Sequence, residues 1–173
     1  VSSGTSGTTG QRMTFATGGS LSVVIDPSAP AYKLVTSGTA GVELNRIKFS
    51  AANEDIDLRQ MALQLRGTAS NTPEDLVGNK VTLWDGATQI GEALIFARDT
   101  GDFATSTAIS NVRIPKDGAK VITVKGDMSV ISNSGPRINS GNLLIVEYDG
   151  NNVGLTGNYG VGVDSGTNVS PSG

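Results

Sequence analysis

The chain has 173 residues, 37% hydrophobic and 17% charged, with a formal net charge of −3, 23 glycines and neither cysteine nor histidine. That length holds one domain with a real core, while the slightly acidic balance argues against a nucleic-acid partner and no apolar run nears the ~18 residues of a membrane span. Without Cys there is no disulfide frame or thiolate metal site, and without His the commonest general base and triad member is missing.

In chain order, Val1–Gly10 is a polar, low-complexity stretch of linker composition. A start on Val rather than Met reads as a chain cut from a longer precursor, or a fragment. Gln11–Thr17 and Ser20–Asp26 read as strands split by Gly18-Gly19, with Leu21, Val23 and Ile25 on one face at period two. Pro27 and Pro30 mark a break, and Ala31–Thr36 reads as a short strand. Strands are expected at Glu43–Ser50, burying Ile47 and Phe49, and at Asp57–Arg66, burying Met61, Leu63 and Leu65. A polar loop over 67–79 leads to the hairpin Lys80–Phe96, turned at Asp85-Gly86, among the better short-range hairpin signals. Further strands follow at Phe103–Ala108, Ile109–Ile114, Lys120–Lys125 and Asn142–Tyr148, with turns at Pro115–Gly118 and Asp149-Gly150.

From Val42 to Tyr148 this is the strand spacing of an all-β antiparallel sandwich. The expected organisation is an extended segment over 1–41 carrying surplus strands, a sandwich core over 42–150, and a Gly/Ser/Asn-rich extension over 151–173. Tails of that composition are disordered unless something holds them, and a neighbouring copy is the simplest holder.

Three runs carry a resemblance: Arg46–Asp57, Val81–Gly91 with its Trp84-Asp85-Gly86 turn, and Ile114–Lys125 with Pro115-Lys-Asp-Gly118. Over residues 10–150 the chain resembles immunoglobulin-like β-sandwich modules of large secreted bacterial surface proteins, notably of the candidate-phyla (Patescibacteria) type. The resemblance implies an immunoglobulin-like sandwich with added N- and C-terminal strands. It also implies an extracellular, cell-surface location and a structural role in a coat, stalk or filament, and it brings no catalytic residue.

The residues themselves add few candidates for chemistry. Asn53, Glu54, Asp55 and Asp57 form an oxygen-rich loop of the kind that can hold Ca²⁺, as do Asp149 and Asn151; the alternative is a solvated acidic turn, since neither has the EF-hand spacing. Glu92, Asp99 and Asp102 supply carboxylates, but nothing places two across a cleft as glycoside hydrolysis requires. Phosphate-binding glycine motifs are absent, and the many serines lack a His partner. No catalytic residue is therefore expected. Trp84 is either a ligand platform for a carbohydrate-binding or adhesin module or a half-buried cap of the sandwich. The leading expectation is a non-catalytic module that polymerises with copies of itself, with other surface proteins or glycans as further partners. Met13, Phe15, Leu21, Val23 and Ile25 would be added to a neighbour's sheet and fix its register.

Overall fold

A computed structural model of the chain describes residues 18–66, 72–91, 94–95, 103–131 and 141–173. Met13 and Phe15, the expected strand over 11–17, and Glu92, Asp99 and Asp102 lie outside the described residues. The described part is all-β and antiparallel, with two 3-10 turns at Pro73–Asp75 and Val77–Asn79 inside the expected loop. No helix among the described residues is long and apolar enough to cross a membrane.

The largest sheet contains β1 (Ser20–Ile25), β2 (Val42–Ala52), β5 (Lys80–Asp85), β6 (Thr88–Gln89) and β10 (Ala119–Gly126), in the order β1-β2-β10-β5-β6. Here β7 (Leu94–Ile95) completes the outer side of β5. The β5–β6 hairpin forms where Asp85-Gly86 placed it, with Gly86 at φ +59°, a conformation that carries almost no penalty without a Cβ. A register shift between Val124 and Lys125 bulges β10 near its C-terminal end.

The opposing layer holds two sheets. One is β13-β12-β3-β9, from β3 (Ile56–Gln60), β9 (Arg113–Ile114), β12 (Tyr159–Gly162) and β13 (Asn168–Val169). The other is β11-β4-β8, from β4 (Ala62–Leu65), β8 (Phe103–Thr105) and β11 (Val146–Tyr148). One apolar core lies between the layers: Leu21, Ile47, Phe49, Leu83 and Ile122 from the large sheet meet Ile56, Leu58, Leu63 and Val146 from the smaller ones. Phe49 stands edge-on to Tyr148 across the interface, ring centroids 5.9 Å apart.

The expected strand Asp57–Arg66 is divided at Met61. Ile56 and Leu58 are buried at even positions, then Met61, Leu63 and Leu65 at odd ones, so the chain changes phase and the ladder breaks. Side chains take over the backbone there: Met61 N–H donates to Ser106 Oγ at 2.9 Å, and Ala62 N–H to Asn158 Oδ1 at 2.7 Å.

Other expectations need correction. Ala31–Thr36 is exposed and joins no ladder among the described residues, and Asn142–Ile145 precedes β11 without being part of it. A strand forms only where a partner edge meets it, and period and composition alone do not show that partner. The C-terminal extension 151–173 is not a free tail, because β12 pairs with β3 and β13 with β12 within this chain. Likewise β1 is not surplus: it pairs with β2 along its whole length, Leu21 opposite Ala51 and Val23 opposite Phe49.

Candidate functional site

The N-terminal strand and the C-terminal hairpin meet at one corner of the large sheet, and Glu54 joins them. Glu54 follows Asn53, whose φ of +73° ends β2 and turns the chain inward towards β3. Its carboxylate is buried and accepts four hydrogen bonds among the described residues. Ser165 Oγ donates at 2.7 Å and the amides of Asp164 and Ser165 each at 2.9 Å, while the amide of Gly19, just ahead of β1, is the fourth donor. These bonds hold the acid below the usual carboxylate range; the Ser165 hydroxyl and amide contribute most, opposed by desolvation. A Cβ on Gly162 would stand 2.3 Å from Glu54 Oε1, so a bare backbone is what lets β12 lie against the acid.

Beyond β13 the chain crosses to the outer edge of β1. Ser172 bridges Ser22 in parallel: Val23 N–H donates to the Ser172 carbonyl at 3.0 Å, and Ser172 N–H to the Leu21 carbonyl at 2.9 Å. Pro171, the residue before Ser172, is buried. Among the described residues Ser22 is the one β1 residue bridged on that side, although the strand is six residues long. Val24 and Ile25, 56% and 59% exposed, stand at the uncovered end.

Of the residues expected to enter a neighbour, Leu21 and Val23 are 1% and 7% exposed and belong to this chain's own core. The period-two face is real, but it serves the home sheet. Only Ile25 on that face is left outside, although it pairs with the buried Ile47.

The calcium candidates do not converge. Glu54 is engaged as described, Asp55 Oδ1 accepts the Lys116 amide at 2.7 Å, and Asn53 N–H donates to Asp117 at 3.4 Å. Asp57 takes Arg113 Nε at 2.8 Å and Arg59 Nη2 at 3.2 Å, and the Arg113 contact lowers its pKa. Asp149 is buried and caps its own turn, accepting the Asn151 amide at 3.2 Å. Among the described residues no group of three acids assembles to hold a metal ion. The oxygens close backbone turns, and a loop composition alone does not distinguish that from ligation.

Trp84 is half-buried on the outward face of β5. Lys125 Nζ lies 4.2 Å over its ring centroid and its Nε1 donates to Thr82 Oγ1 at 2.8 Å, so one ring face and the polar edge are occupied from within. That arrangement fits a sheet cap better than an open platform.

Two features went unseen in the sequence. One is Asn158, wholly buried, whose Nδ2 donates to the carbonyls of Asp149 and Asn152 while Oδ1 accepts from Ala62. The other is an apolar cleft of about 440 Å³ between residues 30–37 and 141–145, lined by Tyr32, Leu34, Val35, Met128 and Leu144. Both draw on segments roughly a hundred residues apart, and no local pattern announces either. Comparison of the chain with protein-family models, with curated proteins and with solved structures finds no match in any of the three.

Proposed function

We propose that this chain is a non-catalytic, immunoglobulin-like structural module of an extracellular filament or surface layer, and that it assembles with copies of itself. The observation that carries the reading is the outer edge of β1, bridged among the described residues at Ser22 alone and flanked by exposed Val24 and Ile25. An edge strand left open in this way is a template for another strand, and β-branched side chains beside it favour pairing over solvation. The acids point the same way, since Glu54, Asp55, Asp57 and Asp149 all tie backbone or arginines together, an arrangement suited to a durable body. The glycine-, serine- and threonine-rich acidic composition supports work outside the cell.

The test is purified chain followed by light scattering over a hundredfold concentration range and by negative-stain microscopy. Oligomers that grow with concentration, seen as filaments or a lattice, are expected. A monomer at every concentration overturns the reading.

A further inference from the structure

The edge of β1 already has an occupant, and its identity says what the neighbouring copy would bring. We propose that Asn168–Gly173 is an exchangeable strap: closed on its own β1 in the isolated chain, it pairs with the β1 of a second copy in the assembly. This rests on the self-assembly reading above and names the segment that carries it.

Three observations support it. The seat fits this segment, since Ser172 makes both backbone bonds of a parallel bridge and the neighbouring Pro171 of the strap is buried; a second copy's strap would find the same backbone donor and acceptor on β1. The strap is lightly held among the described residues, by two register pairs to β12, one bridge to β1, and Pro171 with the half-buried Val169 as its apolar anchors. A hinge precedes it, because Gly166 has φ +66° and open space where a Cβ would project. Upstream, the Glu54 bonds to Asp164 and Ser165 keep the rest of the hairpin in place while the strap moves. Six residues reach about 20 Å, enough to cross to a copy packed edge to edge.

The test uses two single-cysteine variants, Ser22→Cys and Ser172→Cys, in a chain that has no other cysteine. Both positions are exposed. Neither variant alone can form the intrachain bond, so in the oxidised mixture a disulfide between position 22 and position 172 arises only between copies. Expected is that heterodimer, identified by mass, at several times the yield of either homodimer and rising with the scattering signal. Scattering that shows assembly while the heterodimer stays at or below the twofold excess over either homodimer that random pairing of an equimolar mixture gives overturns the strap and leaves the structural reading standing. No assembly in wild type or mixture overturns both.

Discussion

Glu54 and Asn158 are single side chains that close contacts more than ninety residues apart in the chain, and each makes a prediction. Because the folded pKa of Glu54 lies below its ordinary value of 4.5, its tie is intact above that pH and is lost as pH falls through the folded pKa. Amide exchange at Asp164 and Ser165, corrected for intrinsic rates, should stay flat from neutral pH to about 5 and accelerate below ~4.5. Glu54→Gln should exchange faster at neutral pH, on the order of tenfold, because a neutral acceptor replaces a charged one. It should also lack the acid transition, and coincident wild-type and variant profiles would remove Glu54 from the role of clasp. Asp57, also held low by Arg113, titrates in both proteins and cancels from the comparison. For Asn158, Ala leaves the buried Ala62 amide without its acceptor and takes one donor each from the carbonyls of Asp149 and Asn152, which keep the backbone amides of Asn152 and Asn158, a loss of about 1–3 kcal/mol. Asp in its place should be worse than Ala, since it turns an oxygen towards the carbonyls of Asp149 and Asn152; urea midpoints that rank Asp above Ala would contradict this geometry.

Among the strands, β1 is the decisive case. Its alternation suits equally a strand donated to a neighbour and one that completes its own sheet, because both bury the same face. The structure places it at home, with Leu21 among the largest buried side chains. Leu21→Ala should therefore destabilise the isolated, monomeric chain by about 2–5 kcal/mol, read from denaturant unfolding at low concentration. An unchanged midpoint would restore Leu21 to an intermolecular role. The division between β3 and β4 makes a related point. Counting apolar residues along Asp57–Arg66 shows a strand, but the change of phase at Met61 is meaningful only once Ser106 and Asn158 are seen to serve the backbone at the break. Ala31–Thr36 shows the converse: strand-like composition that joins no ladder among the described residues makes one wall of a cleft.

Across the molecule, one core binds three sheets, and the end of the chain is used to seal what the earlier part left open. The C-terminal hairpin covers β3, its last residues lie on β1, and Glu54 fastens both to the β2–β3 turn. The all-β class, the Asp85-Gly86 hairpin, the turn at Pro115–Gly118 and most of the buried face are legible in the residues alone, because period-two alternation and turn chemistry are local properties. Which strand neighbours which is not legible there, nor is the folding of β1 and the C-terminal extension onto their own body, nor the use of the acids of 53–57 to tie the backbone instead of gathering round an ion. Those outcomes depend on donors and edges brought together from distant parts of the chain, and a carboxylate or a strand looks the same in sequence whichever partner it finally meets.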